Sequence, residues 1–220
     1  MKKTKTALIV CGGDIREEFA LRYLNENRYD VRIAADRGLL FLQKIGMIPT
    51  HIVGDFDSAD DACLDPYREM PEVSIRKFRP EKDWTDSEIA AELALELGCG
   101  RIDILGGTGG ARLDHTLGNL QLLALIQEKG GDGYLIDSHN RIYLRNQSFT
   151  VSRSGQWGRY FSLFAWGGTV EGLTLRGMKY PLHEFTLGNA GTRCLSNEIE
   201  AQTGEVSFRS GTLLVVESRD

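Results

Sequence analysis

The chain has 220 residues, enough for one large domain or two small ones; with 41% hydrophobic and 26% charged residues it is globular rather than disordered, collagenous or coiled-coil. Thirty-one acidic against 26 basic residues leave a net charge of -5 with no basic block to offset it, which argues against nucleic-acid binding. Glycine is in surplus: 25 of 220 residues, about 11% against roughly 7% in average proteins.

Cys11, Cys63, Cys99 and Cys194 form no Cys-x-x-Cys pair, so neither a zinc site nor a disulfide framework is expected, and reduced thiols are. Lys2, Lys3 and Lys5 precede an apolar run, residues 7–11, that is too short for a signal-peptide core, and no stretch reaches the length of a membrane span. The expectation is a cytoplasmic protein with no membrane partner.

In chain order, short apolar runs at residues 7–11, 31–35, 51–53, 73–77, 101–105 and 134–136 predict strands, and residues 15–24, 39–45, 89–97 and 117–126 carry helical spacing between them. Thr85 with Glu88 three residues later fits a capping box, and Gly98 is placed to end that helix. The alternation predicts an α/β domain with a mostly parallel sheet over residues 1–137. Beyond residue 137 helical periodicity disappears and glycine recurs between short β-rich runs at 142–144, 149–151, 160–165, 169–175, 198–201, 205–208 and 213–217. Residues 138–220 therefore read as an all-β sandwich-like or partly open barrel domain.

Ligands of open α/β sheets bind beyond the carboxyl ends of the strands, and four loops there are unusual. They are Asp36-Arg37-Gly38, Gly54-Asp55-Phe56-Asp57-Ser58, Lys82-Asp83-Trp84-Thr85-Asp86, and the run from Gly106 to His115. Acidic residues at several adjacent strand ends would crowd negative charge into one crevice, which is costly without a cation. Asp55 and Asp57, two apart in extended chain, could share one hard cation such as Mg²⁺, or could simply cap a turn. The glycine loop, Gly109 and Gly110 included, could bring backbone N–H groups to a phosphate, although it matches neither a Walker A loop nor the dinucleotide fingerprint; a tight strand-to-helix turn explains it as well. Lys82 and Arg112 are the nearest cations for phosphate.

Taken in order, Ala35-Asp36-Arg37-Gly38, Gly54-Asp55-Phe56-Asp57-Ser58, Glu81-Lys82-Asp83-x-Thr85-Asp86 and Gly106-x-x-Gly109-Gly110-x-Arg112-Leu113-Asp114-His115 resemble the thiamin pyrophosphokinase family. The likeness continues through Gly177-Met178-Lys179-Tyr180-Pro181-Leu182 and Leu195-Ser196-Asn197-Glu198. The resemblance implies transfer of pyrophosphate from ATP to the hydroxyl of thiamine, releasing AMP, by a thiamine diphosphokinase with an α/β nucleotide domain and a β-sandwich thiamine domain. It implies Mg²⁺ held by Asp55, Asp57 and Asp86, and thiamine met by Ser196 and Asn197. ATP is assigned to Asp36, Lys82, Thr85, Gly109, Gly110, Arg112 and His115, and the alcohol proton to Asp83 or Asp114, between which the sequence does not choose. Trp166 and Tyr180 are candidates for an aromatic face against the cationic thiazolium, with core packing as the other role for such residues. Bulky Trp84 in the third motif and Arg193-Cys194 before Ser-Asn depart from the family pattern. The family further implies a homodimer with active sites at the subunit interface. A dehalogenase-like phosphatase is disfavoured, because the motif follows the third predicted strand and carries Ala59 at its fifth position.

Overall fold

The computed structural model describes residues 4–56, 61–79 and 83–220. By contact density the chain divides into two compact units, Met1–Ser138 and His139–Asp220.

The first unit is a parallel sheet with helices in its connections. Its strands are β1 (Lys5–Val10), β2 (Val31–Ala35), β3 (His51–Gly54), β4 (Ser74–Lys77), β5 (Cys99–Leu105) and β6 (Asp132–Ile136), in the order β4-β3-β2-β1-β5-β6 with every pairing parallel. Ala7, Leu8, Ile9 and Val10 are wholly buried, as a central strand covered on both faces requires. Strand order reverses between β1 and β5, the switch point at which an open α/β sheet leaves a crevice at its carboxyl edge. The helices are α1 (Glu17–Glu26), α2 (Gly38–Lys44), α3 (Asp86–Glu96) and α4 (Leu113–Glu128), with a 3₁₀ helix over Asp61–Tyr67. Helix α1 buries Phe19, Ala20, Tyr23 and Leu24 along one stripe. At the start of α3 the Thr85 hydroxyl accepts from Glu88 N–H at 3.2 Å, and after its end Gly98 takes a left-handed φ of 81°. On β5, Asp103, 1% exposed, accepts from the hydroxyls of Tyr23 and Tyr29, each at 2.7 Å, and pairs with Arg101. Burial and the adjacent carboxylate push both phenols upward.

The second unit is antiparallel: β7 (Asn140–Arg145), β8 (Phe149–Ser152), β9 (Tyr160–Arg176), β10 (Leu182–Leu187), β11 (Thr203–Ser207) and β12 (Ser210–Ser218). Strand β12 lies between β7 and β9, while β9 also pairs with β10 and β11, and β11 with β8. The rings of Tyr143, Phe149 and Phe161 meet in its core, with successive centroids 6.4 Å apart. A second buried carboxylate, Glu217 at 0% exposure, accepts from Arg141, from the Tyr143 hydroxyl at 2.9 Å and from Trp157 N–H at 2.8 Å.

Three expectations for this unit change. Residues 160–165 and 169–175 are one strand, because the pairing of β9 with β12 continues past Gly167 by way of a register shift between Ser210 and Thr212. Residues 198–201 are not a strand: Ile199 makes a single bridge to Met178, and the N–H groups of Glu200 and Ala201 both turn back to Gly177 O. Strand β10 was unexpected, since Pro181 precedes it and left-handed Glu184 interrupts its register. Among the described residues no helix is long and apolar enough to cross a membrane.

Candidate active site

The carboxyl ends of β2 and β3 and the first turn of α3 bring three carboxylates together. Asp36, Asp55 and Asp86 each offer an oxygen, and these oxygens lie within 4.8 Å of one another. Burial raises the Asp36 carboxyl above its ordinary range; Asp86 and Asp55 raise it further, and a backbone N–H bond from Arg37 pulls the other way. Three such oxygens suit a hard divalent cation, which takes oxygen ligands and balances their charge. Asp36, which the family motifs assign to the nucleotide, lies together with Asp55 and Asp86 in this cluster. Asp57 and Lys82 lie outside the described residues.

Backbone geometry holds this cluster. Asp36 and buried Phe56 both have left-handed φ values, 49° and 40°, conformations that persist in ordinary residues only where the surroundings enforce them. For Asp36 that enforcement includes its N–H donating to Val53 O at 2.9 Å and the close seating of Gly38, whose Cα faces Val10 O so tightly that a Cβ there would come within 1.9 Å. On the other side of β1, Gly106 has a φ of 69° and no room for a Cβ against Cys11 O. Cys11 N–H donates to Leu105 O and Gly13 N–H to Gly106 O, so the loops after β1 and β5 are stitched together. The Cys11 thiol beneath them is pushed up to about 12 by burial, with Asp86 and Asp36 adding to the shift, which makes it an inert core group. None of the four cysteines is in a disulfide.

A cleft of about 470 Å³ opens between α3 and α4, lined among others by Thr85, Glu88, Arg112, Asp114, His115 and Gly118. Arg112 and Asp114 form a bidentate pair at 3.2 and 2.5 Å, and the guanidinium holds the carboxyl below its ordinary range. A phosphate or a base function at either residue would therefore have to open that pair. Thr85 spends its hydroxyl on the α3 cap. Gly109 and Gly110 are exposed with left-handed φ values, and His115 and Asp83 are exposed. Sequence reading missed Asn119, which donates from α4 to Gly107 O at 2.9 Å, and the Thr108–Asp137 bond at 2.7 Å; both brace the glycine loop. Asn119 is a polar residue buried within α4, while Thr108 and Asp137 lie in loops just after β5 and β6, where the sequence offers no motif to single them out.

In the second unit Asn197 is buried at 4% exposure, Tyr180 is exposed at 57%, and Trp166 is half-buried on β9. Asn197 Oδ1 accepts from the N–H groups of Tyr180 and Glu198, and its Nδ2 donates to Tyr180 O, all at 2.9 Å. Ser196 is exposed with a φ of 53°, its N–H donating to the Ser162 hydroxyl.

Solved structures share this architecture of a parallel α/β unit followed by an antiparallel β unit. A thiamine pyrophosphokinase from Bacillus subtilis superposes with a TM-score of 0.86 over 98% of this chain and 100% of its own at 33% identity. One from Geobacillus thermodenitrificans gives 0.81 over 98% of each at 32%. The yeast thiamin pyrophosphokinase gives 0.78 over 99% of this chain and 87% of its own at 17% identity, a likeness of fold alone. In sequence, the catalytic-domain model of thiamin pyrophosphokinase matches residues 22–133 and its vitamin B1 binding-domain model residues 146–213. The Bacillus subtilis (strain 168) thiamine pyrophosphokinase is 35% identical over 188 residues, covering 86% of this chain and 87% of that protein. The chain belongs to the thiamin pyrophosphokinase family.

Proposed function

We propose that this protein is a cytoplasmic thiamine diphosphokinase that moves the pyrophosphoryl group of ATP to the hydroxyl of thiamine, yielding thiamine diphosphate and AMP. The observation that carries the reading is the Asp36–Asp55–Asp86 cluster at the sheet's carboxyl edge. Pyrophosphoryl transfer asks a protein chiefly to position reactants and offset charge. A chain of net charge -5 meets that demand for a polyanion only locally. Bound Mg²⁺ would supply Lewis-acid charge stabilisation, with Asp36, Asp55 and Asp86, and Asp57 by its motif, as the residues to hold it. Lys82, Arg112, His115 and the N–H groups of Gly109 and Gly110 would orient the phosphates, and Asp83 or Asp114 would accept the alcohol proton. Ser196, Asn197 and Tyr180 mark the thiamine end, which makes residues 1–137 the nucleotide and metal domain and 138–220 the thiamine domain.

With Mg²⁺, ATP and thiamine, AMP should form mole for mole with thiamine diphosphate. ADP together with thiamine monophosphate would mean attack at the terminal phosphorus and overturn the reading. Asp55→Asn and Asp86→Asn should each remove most activity with the fold intact. The chain is further proposed to act as a homodimer whose thiamine segment completes the acidic site of its partner. Asp57→Asn chains, with little turnover, and Asn197→Ala chains, impaired at sub-saturating thiamine, should then gain activity at low thiamine on subunit exchange, since one site of each mixed dimer carries neither defect. Absence of recovery after verified exchange refutes the shared site.

A further inference from the structure

We infer that Asn197 is a positioning residue for Tyr180 and that the ring of Tyr180, not the Asn197 amide, is what the substrate meets. The inference rests on the pyrophosphokinase reading above. A carboxamide has two acceptor positions and two N–H donors. Both acceptors of Asn197 are occupied, by the N–H groups of Tyr180 and Glu198, and one donor is bonded to Tyr180 O. The side chain thus engages both backbone polar groups of Tyr180, much as a neighbouring strand would. Its own backbone is fixed as well: Phe161 N–H donates to Asn197 O at 2.8 Å, and Asn197 N–H to Phe161 O at 3.1 Å. A residue so committed and 4% exposed has at most one N–H left for a ligand.

Tyr180 shows the opposite pattern, with a rigidly held backbone and a ring 57% exposed. The Lys179 ammonium lies 5.6 Å from that ring's centroid and is tethered at 2.8 Å to Glu198, whose N–H is bonded to Asn197. One amide therefore sets the tyrosine backbone and the carboxylate that steers the neighbouring cation. An exposed aromatic face on a fixed backbone suits a flat cationic heteroaromatic ligand, to which it offers stacking and cation–π attraction at little ordering cost.

The test is a double-substitution cycle read by thiamine affinity in calorimetry and by the split of thiamine KM against kcat. Tyr180→Ala should weaken thiamine binding about tenfold, raising KM more than it lowers kcat. Asn197→Ala should do the same, and the double variant should be no worse than either single one, because both remove one placed ring. Should Asn197→Ala fail to fold, the cycle is run with Asn197→Asp, which keeps the two accepted bonds but turns a carboxylate oxygen toward Tyr180 O and so also displaces the ring. Losses that multiply in the double variant, to about a hundredfold, would make Asn197 a direct ligand and overturn the inference, as would a Tyr180→Ala chain that binds thiamine normally. An unsubstituted chain that binds no thiamine refutes the pyrophosphokinase reading itself and the inference with it, and is read before any variant is made.

Discussion

Gly38→Ala probes the acidic cluster without touching a carboxylate. A Cβ at that position would come within 1.9 Å of Val10 O and 2.5 Å of Val10 C, whereas real Cβ atoms essentially never approach closer than 3.0 Å. Both clashing atoms are backbone atoms of the central strand, so relief requires the start of α2 to move away by at least the difference, 1.1 Å. Asp36 lies two residues before Gly38 and moves with it. Mg²⁺ demands oxygen distances of about 2.0–2.1 Å in near-ideal octahedral geometry, and a misplacement of about 1 Å at a reacting centre costs on the order of 100-fold in rate. The expected result is AMP formation reduced about 100-fold, weaker Mn²⁺ binding by electron paramagnetic resonance, and a stability loss of about 1–3 kcal/mol from overpacking. Gly188→Ala, whose Cβ would meet nothing within 4 Å, should leave all three unchanged. Turnover and Mn²⁺ affinity near wild type in Gly38→Ala would show that the seating of α2 does not place Asp36.

Gly118 lies within α4 where it lines the cleft, and a Cβ there would meet nothing within 4 Å. Gly118→Ala should stabilise the protein by about 0.5–1 kcal/mol, seen as a rise in Tm of a few degrees, while raising the KM for ATP; an unchanged Tm would contradict the helix argument. Glu217→Gln keeps the shape of that side chain but removes the anion that compensates Arg141, and should cost about 3 kcal/mol in urea denaturation; a loss under about 1 kcal/mol would mark the network as incidental. Hydrogen bonds from Arg159 and Lys179 hold the Glu198 carboxyl down to about 2. Being depressed in the folded state, this group contributes stability that is present above the ordinary glutamate range and lost as pH falls through about 2. A carboxyl ¹³C titration of Glu198 with a midpoint near 4.5, its ordinary value, would refute the pairing.

The parallel half was legible because each strand is a short apolar run and each helix carries its own punctuation, Thr85 and Gly98 around α3 being the clearest pair. The acidic loops were legible as chemistry at strand ends. What could not be read was which carboxylates converge: Asp36 and Asp86 are fifty residues apart in sequence, and the register of β2 on β3 together with the capped start of α3 brings them together. Periodicity failed in the second unit for a related reason. The glycines at 167 and 168 look like a turn between two strands, but hydrogen bonding with β12 on both sides carries the chain straight through. Asn197 was read from its motif as a ligand, and only the positions of the Tyr180 and Glu198 N–H groups reveal how little of it is left to bind one.

Strand β9 belongs to two ladders at once, bonded to β12 over its first part and to β10 and β11 over its last. A shared member couples the cooperativity of both: the strand cannot be withdrawn from one ladder without fraying the other, so its seventeen residues form a seam rather than a hinge. Slow amide exchange should run along β9 on both sides of the two central glycines with a common opening free energy, while the edge strands β8 and β10 exchange through smaller local openings. The segment that presents Tyr180 leaves directly from the far end of that seam, through Gly177. The exposed ring is thus mounted at the end of the strand expected to open last, where the proposed binding surface would keep its shape between turnovers.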